Sequence, residues 1–335
     1  MIARRPRIRP SLLVALTLGL ASLTACDSDK SNAPGDGGGV ASETEGKADA
    51  EAGKDYAYAA SGFTLTATTE VKLELSSNQG QGASELSARS VIEATPEGDK
   101  LKLHGKVVEL MGYEGSGQLD PEFMRKQAEE AGEEPMDLMA ELANSESWTI
   151  VNLKGEADED LTKALAENAS KDDAPMDFGL FSLPDLPTVD LEPGTKVTLP
   201  TKADERELPF GSVPVEVDIS WTLREIAGTV AELDVTIEGS GATEIEAGGG
   251  NTAMVSILEE SSYTIFFDME AKLPKSYNGY SQSEITVDIP GQPIQFSTNN
   301  EVSTTYEVGS VPAEAPAEAA PAEAAPAEAA PAEAS

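Results

Sequence analysis

A strict alternation of apolar and polar residues is the feature that most constrains the fold of this chain. The clearest run sets Val213, Val215, Val217, Ile219, Trp221 and Leu223 against Pro214, Glu216, Asp218, Ser220, Thr222 and Arg224. A period of two places one class of side chain on each face of a β-strand. Clean alternation favours antiparallel pairing, because parallel strands are normally buried on both faces.

The same period recurs along most of the chain, in runs at 63–75, 101–107, 231–237, 263–273, 285–289 and 294–308. Turn signals stand at Glu97-Gly98-Asp99, Ala227-Gly228, Gly248-Gly249-Gly250 and Asn278-Gly279. Several runs exceed the usual strand length of about five or six residues. Sheets of long twisted strands with one buried, apolar face tend to curl. We therefore predict a mainly β (α+β) domain whose long antiparallel strands form a curled sheet, half-barrel, barrel or sandwich.

The middle of the chain has a different pattern. Asp120 followed by Pro121 is a helix start, with a capping carboxylate and a proline in the first turn. We expect helices at about 121–131, 135–143 and 158–168, followed by a proline-rich stretch after Ala174. The pattern predicts a short helical insertion at about 119–187. It joins two β-rich halves, 56–118 and 195–309, that share one sheet system.

Both ends of this domain have compositions that cannot form a core. Residues 26–55 contain no aromatic residue, and residues 311–335 repeat Pro, Ala and Glu with a proline about every fifth position. The first segment cannot offset its ordering entropy, and the prolines of the second prevent a continuous helix. We predict a disordered tether at 26–55, a folded domain at 56–310 and a disordered tail at 311–335.

The first 25 residues are typical of a secretory signal peptide. Four arginines and no acid precede an apolar run at 11–23, which is too short for the roughly 20 residues that span a bilayer. The run ends at Leu23-Thr24-Ala25-Cys26. This motif resembles the lipobox of bacterial lipoproteins. The resemblance implies cleavage between Ala25 and Cys26 and attachment of diacylglycerol to the Cys26 thiol, with further acylation of the new amino terminus in many members. The body would then be lipid-anchored in the bacterial cell envelope, facing the periplasm or the cell surface.

The second half of the body carries a further resemblance. The segments PGTKVTLP, ISWTLREIAGTVAELDVTIEG and YTIFFDMEAKLPKSYNG resemble a pattern in uncharacterised bacterial lipoproteins and secreted β-proteins. In that pattern a Pro-Gly entry precedes long paired strands. The group has no established chemistry, so the resemblance implies a β-rich exported protein and no activity.

Charge and residue inventory exclude several kinds of chemistry. The net charge of −37 becomes −41 when residues 1–25, with their four Arg, are removed. Such a chain cannot bind nucleic acid by neutralising phosphates. Cys26 is the only cysteine and His104 the only histidine, so we expect no disulfide, no transition-metal site and no cofactor. His104 lies on the polar face of a strand between Lys102 and Lys106, without the signs of a catalytic triad, so we assign no catalytic residue.

Two groups of residues leave functional alternatives open. Acid clusters such as Glu129-Glu130 and Asp158-Glu159-Asp160 favour solvated helix faces and caps, with calcium binding as the alternative. Five methionines fall in or beside the helical insertion: Met111, Met124, Met136, Met139 and Met176. They favour ordinary helix-to-sheet packing, with a lid over an apolar ligand as the alternative.

The sequence thus favours a lipid-anchored, non-catalytic binding or interaction module for an apolar ligand, a lipid or an envelope partner. A lipid-handling half-barrel that resembles periplasmic lipoprotein carriers is one form of it. The alternatives are a carboxylate-dependent hydrolase of envelope polymers and a purely structural surface lipoprotein.

Lipidation of Cys26 can be tested by metabolic labelling with palmitate. The wild-type protein should incorporate the label, whereas Cys26→Ser should not, because serine offers no thiol for the thioether. Ser28→Ala, two residues further on, should be labelled like the wild type. Labelling of the Cys26→Ser protein would refute the lipobox assignment.

Overall fold

The computed structural model describes residues 56–78, 80–132, 137–158, 161–162, 180–181, 183–208, 211–248, 251–288 and 293–309. These form one antiparallel sheet and two short helices. The strands are β1 (Phe63–Ser77), β2 (Gly80–Glu97), β3 (Lys100–Gly117), β4 (Glu146–Asn152), β5 (Lys196–Thr198), β6 (Lys202–Leu208), β7 (Gly211–Ala227), β8 (Val230–Gly248), β9 (Asn251–Asp268), β10 (Leu273–Asp288) and β11 (Ile294–Val308). The helices are α1 (Pro121–Ala131) and α2 (Leu138–Ala143).

The eleven strands form a single sheet in the order β4-β3-β2-β1-β11-β10-β9-β8-β7-β5, with β6 also paired to β7. The first and last strands, β1 and β11, pair at the centre from Leu65↔Val308 to Ser77↔Phe296, which joins the two halves of the chain. The predicted mainly β fold with long antiparallel strands is confirmed. The sheet is open, because β4 at one end does not pair with β5 or β6 at the other.

One face of the sheet, which we call the inner face, carries the core. The alternation predicted for β7 places Val213, Val215, Val217, Trp221 and Leu223 in this core. The core continues across β8 to β11 and on to β1, β2 and β3. Glu156, just after β4, lines the same cavity as Lys202 at the start of β6. The sheet therefore curls until its two ends face each other across that cavity.

A second cluster lies where the insertion covers the inner face of β2 and β3. Leu138 and Leu142 of α2 pack there with Leu86 and Val107. Phe181 lies in contact with the backbone of Gly105, where an added Cβ would come within 2.5 Å of its ring. The helices thus extend the cover of the β1–β3 side. Neither described helix has the length and hydropathy that crossing a bilayer requires.

The insertion is only partly as predicted. Helix α1 matches the prediction, and the Asp120 carboxylate caps it by accepting the N–H groups of Glu122 and Phe123. Helix α2 begins at Leu138, later than expected, with Asp137 as its N-cap. Most of the third predicted helix lies outside the described residues. The prediction missed β4, an edge strand in the middle of the insertion that pairs with β3 from Lys100↔Asn152 to Lys106↔Glu146.

Two predictions about the strand boundaries of β9 and β10 were wrong. The run at 263–273 is not one strand, since Asp268 accepts the N–H groups of Glu270 and Ala271 and Lys272 adopts a positive φ of 57°. These features turn the chain between β9 and β10. Asn278-Gly279, expected to be a turn, lies inside β10. Gly279 is there because the ring of Tyr263 lies against it on β9, where an added Cβ would come within 2.1 Å of the ring.

This close approach predicts that Gly279→Ala destabilises the sheet by about 1–3 kcal/mol, as overpacking of a core does. The measurement is the free energy of unfolding from urea titration. Gly112→Ala on β3 is the matched control, because nothing lies within 4 Å of the Cβ it would add. Equal stability of the two variants would contradict the proposed packing of Tyr263 on Gly279.

Candidate functional site

A cavity of about 390 Å³ lies between the inner face and the chain at 183–202. Its wall is made by side chains that alternate along neighbouring strands: Ile219 and Trp221 on β7, Val235 and Ile237 on β8, Tyr263 and Ile265 on β9, and Tyr277 on β10. Its volume is at the lower end of the range of small-molecule sites, about 300–1,000 Å³. The strand period that buries the core thus also builds an apolar wall with unfilled space in front of it.

The cover of the cavity is the proline-rich segment at 183–189, together with Leu199, Pro200 and Thr201. Hydrogen bonds fix it to other loops: the Tyr58 hydroxyl donates to the Pro184 carbonyl at 2.5 Å, and the Leu186 N–H donates to the Lys154 carbonyl at 2.7 Å. Gly155 adopts a φ of 95°, and an added Cβ would come within 2.9 Å of the Pro184 oxygen. The cover is therefore held in a fixed place by these bonds as well as by apolar contact.

Three charged side chains line one part of the cavity: Asp185 from the cover, Glu156 after β4 and Lys202 on β6. The pKa of Asp185 is raised to about 7, chiefly because burial desolvates its carboxyl; the negative charge of Glu156 adds to the shift, and Lys202 opposes it. Asp185 is half-buried by exposed area. Because Asp185 lines the cavity, we infer that its carboxyl faces this space.

The two carboxyl groups, Glu156 and Asp185, differ in their hydrogen-bond partners. Asn152 donates from Nδ2 to Glu156 Oε2 at 2.7 Å, so the Glu156 carboxylate has a partner. Within the described part of the chain, neither a hydrogen bond nor an ion pair within 4 Å is formed by the Asp185 carboxyl group. A carboxyl in a cleft whose pKa is shifted by burial and by neighbouring charges is a common feature of functional sites.

Aromatic rings stand beside these charges. The rings of Tyr263 and Tyr277 have centroids 5.4 Å apart at an interplanar angle of 33°. Burial raises the pKa of both phenols, and the charge of Asp185 contributes to each shift. Together with Trp221, they form an aromatic part of the wall within reach of the Asp185 charge.

Among the described residues, the sequence-predicted candidate His104 lies away from this cavity. Ala25 and Cys26 lie outside the described residues, so cleavage and lipidation remain predictions. His104 lies on the outer face, where its ring stacks on Trp148 at 3.8 Å and 6° and its Nε2 bonds Glu146. His104 Nδ1 is also 4.0 Å from Glu93. This is a cross-strand surface cluster and not a triad.

The described members of the acid clusters and of the methionine group do not line the cavity either. Glu129 pairs with Arg125 at 2.8 Å on the surface of α1, and Asp158 pairs with Lys100. No group of three or more His, Cys, Asp or Glu that could hold a metal ion occurs among the described residues. Met124 packs in the second cluster, Met111 and Met139 are exposed, and Met136 and Met176 lie outside the described residues. None of the three described methionines of this group lines the cavity, and the described part of the cover is a loop.

Sequence reasoning missed Asp185 and Glu156. The available signal was the segment LPDLP, in which a single acid stands among prolines and leucines. Such a loop has too few polar side chains to be a solvated connection. Comparison with known proteins adds no assignment, since no protein-family model and no curated protein sequence matches this chain.

The raised pKa of Asp185 predicts that Asp185→Asn is more stable than the wild type at alkaline pH. The ordinary pKa of 3.8 applies to the unfolded chain and about 7 to the folded protein. The wild type therefore loses stability as the pH rises from about 4 to about 7, while the Asn variant does not. Between about pH 5 and about pH 8.5 the advantage of the variant should grow by about 1–3 kcal/mol.

Urea unfolding at the two pH values measures this difference. Asp288→Asn, at the exposed end of β10, removes the same charge from the surface and is the matched control. An advantage of Asp185→Asn that does not depend on pH, or one that the control variant shares, would show that Asp185 is not desolvated.

Proposed function

We propose that the protein is a lipid-anchored exported binding module, without catalytic activity, that holds an apolar ligand in the cavity under the 183–202 segment. The observation that carries this proposal is the unfilled apolar space between the inner face and a cover fixed by hydrogen bonds. A purely structural domain would gain stability by filling that space, because protein interiors are otherwise close-packed. The lipobox resemblance at Cys26 supports the anchor and the envelope location.

Binding can be tested with the neutral apolar fluorophore N-phenyl-1-naphthylamine. The protein used is the chain from Asp27 to Ser335 without its lipid, which retains every described strand and helix. The fluorophore should bind saturably with one site per chain. Ile237→Phe should weaken this binding by about tenfold or more, because the larger ring enters the cavity.

Val308→Phe is the matched control, since it adds an aromatic ring at an exposed position of β11 outside the cavity. It should bind like the wild type, and near-ultraviolet circular dichroism should show that both variants are folded. The proposal fails if the wild type shows no saturable site, or if a folded Ile237→Phe protein binds as tightly as the control.

The carboxyl pair favours a second candidate, a hydrolase that uses Asp185 and Glu156. One carboxyl with a raised pKa beside a second carboxylate is the arrangement of a general acid with its partner. The apolar wall favours binding over this chemistry, because it offers few groups that could hydrogen-bond the hydroxyls of a sugar. Release of reducing ends from purified peptidoglycan by the wild type, and its loss in Asp185→Asn, would establish the hydrolase instead.

A further inference from the structure

The charged part of the cavity points to the kind of ligand it takes. Two carboxyl groups, Asp185 and Glu156, line the space together with one amine, Lys202. Glu156 already has Asn152 as a hydrogen-bond partner, whereas Asp185 has none within the described part of the chain. Desolvating a carboxylate is costly unless a cation or hydrogen-bond donor compensates it. A ligand with a positive group would supply that compensation.

The aromatic part of the wall favours the same kind of group. Trp221, Tyr263 and Tyr277 line the cavity, and the Asp185 charge is close enough to raise the pKa of both phenols. Aromatic faces attract cations through their quadrupole, and rings combined with a carboxylate are a common receptor for ammonium groups. An anionic head would instead face two carboxyl groups with only Lys202 to balance them.

We propose that the ligand is a small single-chain amphiphile carrying an ammonium group, with its chain along Ile219, Val235 and Ile237 and its ammonium beside Asp185 and the aromatic rings. This rests on the proposed function, since it names the ligand class of the same cavity. The volume of about 390 Å³ suits one chain. Lys202 adds a place for an anionic group, so a zwitterionic head that includes an ammonium belongs to the same class.

The assignment has a consequence for pH. The groups whose charges reach Asp185 or are reached by it are Glu156, Lys202, Tyr58, Tyr263 and Tyr277. The phenols are neutral across the relevant range because burial raises their pKa values. An ammonium stabilises the ionised form of Asp185 and displaces its proton. Affinity for an ammonium amphiphile should therefore fall as the pH is lowered from about 8 to about 5.

The test uses four amphiphiles with the same decyl chain and different heads: trimethylammonium, phosphocholine, sulfate and glucoside. Each displaces N-phenyl-1-naphthylamine from the chain 27–335 below its micellar concentration. A salt concentration of about 0.15 M limits non-specific attraction to this acidic protein, because the Debye length is then about 8 Å. The trimethylammonium and phosphocholine heads should compete at about tenfold lower concentration than the glucoside, and the sulfate should compete least.

Asp185→Asn should remove most of the preference for the ammonium heads over the glucoside, since Asn keeps the shape of the side chain without its charge. Asp288→Asn, an exposed control, should leave all four affinities unchanged. If decylphosphocholine competes better than decyltrimethylammonium, the phosphate of its head binds beside Lys202.

Two failures are distinguishable. If the fluorophore binds at one site but the four heads compete equally, or Asp185→Asn keeps the ammonium preference, the ligand class is wrong and the binding module stands. If the fluorophore does not bind saturably, the proposed function itself is wrong.

Discussion

The hydrogen bond from the Tyr58 hydroxyl to the Pro184 carbonyl holds the cover over the inner face of this open sheet. An open sheet has a dry face that its own strands cannot cover, so non-strand chain must cover it. Tyr58 also donates its N–H to the Leu153 carbonyl at 2.8 Å, and Leu186 donates to Lys154 at 2.7 Å. Three separate segments of the chain are thereby joined over the core. Because the cover is held by these bonds, it can lie above the inner face without filling all the space beneath it.

The composition of the cover explains how a buried loop is tolerated. A buried connection normally leaves backbone N–H groups unsatisfied, and proline has none to satisfy. Pro184 and Pro187 are both buried in this segment, with Asp185 between Pro184 and Leu186. The carboxyl is thus held in a desolvated place by a rigid loop. This burial disfavours the ionised carboxylate, which is why the pKa of Asp185 is raised. A carboxyl held in such an unfavourable place is a good candidate for a role in binding.

The period of two in the sequence predicts the strands and their buried faces, but it does not predict close approaches between strands or the environment of loop residues. The alternation from Val213 to Leu223 predicted both the strand and its buried face, because burial on one side of a sheet requires a period of two. Gly279 was wrongly predicted to lie in a turn, because glycine is common both in turns and where two strands approach closely. Only the position of Tyr263 on β9 shows that the second case applies. Asp185 could not be found by periodicity, since the cover has none. Its environment is created by Glu156 and Tyr263, which are distant in sequence.

The point at which the predicted tether joins the domain connects the anchor with the cavity. Tyr56 follows the tether directly, is fully buried, and its carbonyl accepts a hydrogen bond from Lys154 Nζ at 2.6 Å. The Lys154 carbonyl in turn accepts a hydrogen bond from the N–H of Leu186, which belongs to the cover. A lipid anchor at Cys26 would therefore attach beside the cover of the cavity, through a coil about 30 Å long. The negative net charge of the chain repels anionic headgroups but raises the local concentration of cations. If the predicted lipid anchor holds this acidic protein near a bilayer, it would meet ammonium-bearing amphiphiles under conditions that favour their capture.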